Sequence, residues 1–195
     1  MRCWRPPVRL AFMAVVLACA AGPAIAQPVT VADLQRLLQE QPRRELRFRE
    51  TRESPWLAAP LESSGRMRSS ATLLEKRVEQ PRRETWQILP DRMQLIAPDA
   101  TVAKQLMFSD APAVAALANA LRQVMAGDLQ ALDKDFRLVP GGDARLWTLQ
   151  LIPRRPDIAR FLSQLELQGA GPQLQVIAIL ESQGERTTTR LTPEP

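Results

Sequence analysis

The chain has 195 residues, with 26 lysines and arginines against 21 acids, and a formal charge of +5 without a single histidine. Both cysteines, Cys3 and Cys19, precede Gln27, so the remainder offers no disulfide and no thiol chemistry. Serine triads of the usual kind, thiol enzymes and zinc sites are thereby excluded from residues 27–195.

Arg2, Arg5 and Arg9 form a positive leader start, followed by an apolar run over 10–21 too short to span a bilayer. Ala24-Ile25-Ala26 supplies the small residues of a cleavage site. A secretory signal peptide over 1–26 is expected, with Gln27 as the mature start. Val16-Leu17-Ala18-Cys19 also resembles a lipobox, in which Cys19 would carry lipid. Losing the three leader arginines lowers the charge to +2, which weakens any case for a polyanion partner. Residues 27–195 suit one domain with its own core.

Thr30, with Asp33 three residues on, predicts a helix start; Leu34, Leu37 and Leu38 give its stripe, and it ends near Gln41. Strands are predicted over 44–54, 65–71, 73–78, 83–89, 92–97 and 102–108, the fourth and fifth turning through Pro90-Asp91. Asp110 predicts an N-cap with Pro112 in the first turn. Val114, Leu117, Leu121 and Val124 line that helix, and Gly127 sits at its C-terminal end. A short helix is expected over 129–134. Strands 136–139 and 146–153 flank Pro140-Gly141-Gly142-Asp143, and strands 162–168 and 173–181 flank Gly169-Ala170-Gly171-Pro172. The run 186–191, with three threonines, reads as a polar edge strand. The fold class is α+β, mainly β. A curved antiparallel sheet of nine to eleven strands forms an incomplete barrel, covered by two to three helices as a lid.

Chemistry is scarce. Ser63-Ser64-Gly65 lacks the first glycine of a nucleophile elbow, and Lys76 or Lys104 reads as solvated rather than as a serine's base. Asp133-Lys134-Asp135 lacks the glycine and later glutamate of a calcium loop. Gly169-Ala170-Gly171 is a turn, because Pro172 breaks the phosphate-loop pattern. No pair of carboxylates is singled out by spacing, and Arg43-Arg44, Arg82-Arg83 and Arg154-Arg155 read as solvated surface. Nucleic acid is not expected without interleaved aromatics. No catalytic residue, metal site or cofactor is assigned, and the chain reads as a non-enzyme.

Apolar surface is abundant instead. Phe48, Trp56, Trp86, Met93, Leu95, Met107, Phe108, Leu117, Leu121, Trp147 and Leu149 are the candidates for lining a cavity; the alternative is a closed core. In the first strand Phe48, Glu50, Arg52 and Trp56 share one face. Glu50 and Arg52 are therefore expected at the cavity mouth, or simply on a solvated strand end.

Phe48-x-Glu50-x-Arg52-x-Ser54-x-Trp56-Leu57, then Pro60-Leu61 and Gly65-x-Met67, resembles the opening of LolA-related proteins of the outer-membrane lipoprotein carrier superfamily. Pro81, Trp86, Gly127-Asp128-Leu129, Leu132, Phe136 and Trp147-x-Leu149-x-Leu151-x-Pro153 continue the likeness in order. The family's lid arginine has no matching residue; Lys76 and Arg77 lie nearest its place. The resemblance implies a periplasmic monomer whose apolar cavity carries acylated lipoprotein, or a glycolipid, from an inner-membrane exporter to an outer-membrane receptor. Two alternatives stand beside it. One is a lipid-sensing regulatory module on the same fold; the other is an outer-membrane-anchored receptor if Cys19 is lipidated.

Overall fold

A computed structural model describes residues 27–40, 45–70 and 72–194. The signal peptide expected over 1–26, with its expected cleavage site and the lipobox-like residues 16–19, lies outside the described residues, as do residues 41–44 and Ala71. Helix α1 (Val31–Glu40) opens on the capping pair foreseen in the sequence. Thr30 Oγ1 accepts from the Asp33 amide at 3.2 Å, and the Asp33 carboxylate accepts from the Thr30 amide at 3.1 Å. Leu34 and Leu38 are its buried residues.

Strands β1 (Leu46–Glu53), β2 (Leu61–Ser69), β3 (Leu74–Gln80), β4 (Glu84–Ile88), β5 (Arg92–Ile96) and β6 (Val102–Met107) form a first antiparallel meander. Helix α2 (Pro112–Ala126) follows. Asp110 does not cap it. Ala111 holds the N-cap position without a side-chain bond, and the Asp110 carboxylate accepts from Ser109 Oγ at 3.0 Å. Pro112, with its fixed φ and missing N–H, starts the helix unaided. At the other end Gly127 takes φ 73°, and the amides of Gly127 and Asp128 close on the carbonyls of Val124 and Gln123. A 3-10 turn covers Gln130–Leu132, inside the span expected for a short helix.

A second meander contains β7 (Phe136–Gly142), β8 (Trp147–Pro153), the one-turn helix α3 (Pro156–Ala159), β9 (Leu162–Ala170), β10 (Gln173–Glu181) and β11 (Arg186–Pro193). The predicted turn at 140–143 is displaced. Pro140, Gly141 and Gly142 belong to β7, and the chain reverses at 143–146, where the Asp143 carboxylate accepts from the amides of Arg145 and Leu146 at 2.7 and 3.1 Å. Proline is tolerated there because β7 is an edge strand.

All eleven strands share one sheet, in the order β6-β5-β4-β3-β2-β1-β11-β10-β9-β8-β7. It does not close into a barrel. The threonine-rich β11, expected at an edge, is instead paired on both sides, with β1 and β10. Thr189 explains how a polar strand can lie there: it is buried, and its hydroxyl donates to Glu50 on β1 at 2.7 Å.

The helices lie on one face of the sheet. α1 packs on β7 and β10, α2 on β2, β3 and β4, and α3 on β8 and β9. Phe136, Trp147, Leu149, Leu151, Leu165, Leu167 and Ile177 join Leu34, Leu38 and Val124 of the helices in one continuous core. The interior of the β7–β10 half is filled by side chains.

On the opposite face Glu75 is buried among cations and amides. Arg68 Nε lies 3.0 Å and Arg77 Nη2 3.2 Å from its carboxylate, Gln87 Nε2 donates at 2.9 Å, and Gln94 Nε2 donates onward to Gln87 Oε1 at 2.9 Å. This ladder ties β2, β3, β4 and β5 together. Burial alone would raise the Glu75 pKa, but the bonds from Gln87 and Arg68 and the charges of Arg68 and Arg77 outweigh it. The carboxyl ionises below its ordinary 4.5. A depressed folded-state pKa adds stability that is whole above the ordinary value and is lost as pH falls through the folded one. Glu75→Gln is therefore expected to cost about 1–3 kcal/mol at pH 7. It should also flatten the loss of stability below about pH 5, read from urea midpoints across that range.

Candidate functional site

Along β1 the inward-facing residues are Leu46, Phe48, Glu50 and Arg52, the first two buried. The register sets Glu50 opposite Ser63 of β2 and Thr189 of β11, and sets Lys76 of β3 opposite Met67 and Trp86. Lys76 Nζ sits 2.6 and 2.7 Å from the two Glu50 oxygens; Thr189 Oγ1 donates at 2.7 Å and Ser63 Oγ at 3.5 Å. The ammonium also lies 4.8 Å from the centre of the Phe48 ring. Side-chain exposure is 24% for Lys76 and 19% for Glu50. A glutamate on the phenylalanine's face is thus tolerated because a lysine from two strands away neutralises it.

Arg52 turns to a different acid. Its Nη2 lies 2.9 Å from Glu185, whose other oxygen accepts from Ser54 Oγ at 3.1 Å. The bonds from Arg52 and Ser54 hold the Glu185 carboxyl below its usual range. Burial, and then Glu185 itself, push Glu181 above it.

Beside these groups is a recess of about 400 Å³, lined by Glu50, Arg52, Leu61, Ser63, Lys76, Val78, Glu84 and Trp86 together with Glu62, Pro81 and Arg82. That volume falls among ligand pockets, which run from about 300 to 1,000 Å³. The Trp86 indole donates to Glu84 at 3.3 Å. Trp86 pairs with Leu95 across β4 and β5, and Ile88 with Met93, so a half-buried apolar strip continues from the recess along the inner face.

The expected cavity residues therefore separate. Glu50, Arg52 and Trp86 line the recess, with Met93 and Leu95 on the strip beside it. Phe48, Trp147 and Leu149 are packed in the core, and Leu117 and Leu121 of α2 rest half-buried against it. Met107 pairs with Arg92, on the face opposite to Met93, and Phe108 is buried just beyond β6. Trp56 stands on the β1–β2 loop, 77% exposed. Ser63, Val78, Leu61 and Thr189 are not among the expected site residues, and Lys76 is expected to be solvated, though with Arg77 it lies nearest the place of the family's lid arginine. Alternation along Leu74-x-Lys76-x-Val78 held the signal for Lys76, but only the register shows that it meets Glu50.

A larger recess of about 680 Å³ lies by the β2–β3 bulge, walled by Arg77, Glu79, Arg83 and Glu84 and equally by Val78, Ile96, Ala97 and Pro98. Among the described residues no helix is long and apolar enough to cross a membrane. No curated protein matches the chain. Two solved structures resemble it over most of their length. A LolA superfamily protein from Nitrosomonas europaea is 11% identical, with a TM-score of 0.44, over 84% of this chain and 92% of that one. A putative outer membrane lipoprotein-sorting protein domain from Vibrio parahaemolyticus is 10% identical, with a TM-score of 0.41, over 83% and 88%. The model of the family described as outer membrane lipoprotein carrier protein LolA-like matches residues 21–193, and the chain belongs to that family.

Proposed function

We propose that the protein is a periplasmic carrier that holds acyl chains of a lipoprotein, or of a related glycolipid, on the open half of its inner face. The observation that carries this reading is the asymmetry of the sheet. Strands β8 and β9 bury Trp147, Leu149, Leu151, Leu165 and Leu167 on their inner face, whereas Trp86, Ile88, Met93 and Leu95 of β4 and β5 stay half-exposed next to a recess floored by Lys76 and Glu50. An amphiphile suits both parts, with its chain along the strip and its polar head over the ion pair. Each methylene taken out of water contributes about 0.8 kcal/mol. Family membership supports a carrier role, and the cargo would pass from an inner-membrane exporter to an outer-membrane receptor.

Delipidated protein titrated with a fluorescent fatty acid is expected to bind it saturably. Trp86→Ala should weaken that binding about tenfold, or about 1.4 kcal/mol. Leu146→Ala, on an exposed hairpin away from the recess, should leave it unchanged. Absence of saturable binding to any acylated probe would falsify the carrier reading.

A further inference from the structure

Each cation on the wall of the 400 Å³ recess already has an acid beside it. Lys76 Nζ is bonded to both Glu50 oxygens at 2.6 and 2.7 Å, and Arg52 pairs with Glu185 at 2.9 Å. Arg82 lies 3.9 Å from Glu84. Glu62 stands on the same wall, exposed, with no ion pair or hydrogen bond to its side chain among the described residues. Glu50, Glu62 and Glu84 thus face Lys76, Arg52 and Arg82, while Arg52 also serves an acid outside the wall. An anion entering here finds a surplus of carboxylate and no unmatched cation.

Glu50 is held firmly in its place. Besides the two contacts with Lys76 of β3, it accepts from Thr189 Oγ1 of β11 at 2.7 Å and from Ser63 Oγ of β2 at 3.5 Å. Thr189 is buried, and the Glu50 side chain is only 19% exposed. A carboxylate or phosphate on the cargo could pair with Lys76 only by displacing a carboxylate that donors from three strands hold. Water screens charges less in such a half-buried setting, so the two anions would also repel each other more strongly than at an open surface.

An uncharged head meets no such opposition. An ammonium has three N–H groups, and the contacts with Glu50 engage at most two of them. An ester or amide carbonyl, or a hydroxyl, can accept from the remaining one without competing with Glu50. Val78 and Trp86 stand on the same wall and receive the methylenes next to that head.

We propose that Glu50 sets the head-group specificity of the carrier: by holding the Lys76 ammonium, it makes the recess take acylated cargo whose head is uncharged and hydrogen-bonding, such as an ester, amide or glycosyl group, in preference to an anionic head. This rests on the carrier reading and narrows its cargo to one chemical class.

The test compares two probes that share one fluorescent acyl chain, the free acid and its glycerol monoester, on delipidated protein at about pH 8, where the acid is ionised. Wild-type protein should bind the monoester at least about fivefold more tightly. Glu50→Gln keeps the shape of the side chain and can still accept from Thr189, but it leaves the Lys76 charge unmatched. It should swing the ratio of affinities at least about tenfold toward the acid. Lys76→Gln should swing the ratio the other way, because Glu50 then has no cation beside it. Each ratio is read within one sample, so a lower folded fraction cancels. An ion pair with a purely structural role would weaken both probes alike and leave the ratio unmoved in both variants, and that result overturns the inference. Equal wild-type affinities for the two probes, or a wild-type preference for the acid, overturn it as well. In those cases an acylated probe still binds and the carrier reading stands. If wild-type protein binds neither probe, the carrier reading falls and takes the inference with it.

Discussion

Trp147→Ala is expected to lower stability by about 3–5 kcal/mol, seen as a shift of the urea midpoint at unchanged slope. The indole is 2% exposed and lies in the core beneath the helices. Its Nε1 donates to the Gly171 carbonyl at 2.8 Å, so alanine leaves a cavity and an acceptor without its partner. Gly169 is directly opposite in the β8–β9 register. A Cβ on Gly169 would run into the Trp147 ring and come within 2.5 Å of the Gln173 carbonyl oxygen. Gly169→Ala is therefore destabilising in the wild-type protein and less so in the Trp147→Ala background, where only the Gln173 contact remains. The coupling should be about 1–3 kcal/mol. Simple additivity of the two changes would show that the indole and the glycine are not packed as described.

Gly65→Ala carries the second large effect, about 3 kcal/mol or more. Gly65 is buried at the bulge between β2 and β3, opposite Phe48 on one side and Val78 on the other. An added Cβ would be driven into the Arg77 carbonyl oxygen, and would meet the Glu79 amide nitrogen at 3.0 Å. Backbone atoms cannot swing aside as a side chain does, so β3 has to move. Lys76, the neighbour of Arg77, moves with it, and its 2.6 Å contact with Glu50 is lost or lengthened. Weaker fatty-acid binding in the folded fraction should accompany the loss of stability. A cost under about 1 kcal/mol with normal binding would mean that the bulge yields freely and that the recess does not depend on it.

Much of the fold was legible because its signals are local. The Thr30–Asp33 cap, the Leu34 and Leu38 stripe, Gly127 and the alternation of Trp147, Leu149 and Leu151 each act within a few residues. What escaped is set by pairing between distant segments. Composition marked 186–191 as an edge, and nothing near Thr189 in the chain reveals that Glu50 will take its proton-bearing oxygen as a partner. Asp110 looked like a cap because proline's capacity to begin a helix alone leaves no positive mark of its own. The cavity list mixed core and surface for a similar reason. Trp147 and Trp86 both sit on alternating strands, yet one is buried in the core and the other stays half-buried beside the recess, and alternation alone gives no sign of which. Lys76 was read as solvated because its acid comes from two strands away.

The seam between β1 and β11 has a consequence for how the molecule is assembled. Leu46 pairs with Pro193, so the sheet is joined by a contact that encloses nearly every other strand in sequence. Each meander can zip locally, from hairpin to hairpin, but the union of the two waits for the strand that follows all the rest. Contacts of such long range are slow to form. Until that moment both halves display raw hydrogen-bonding edges to any neighbouring chain, the template from which strand-swapped aggregates grow. The period of greatest hazard is thus the interval before the last strand arrives, and a holding factor that shields β1 and β10 during it would raise the yield of native protein.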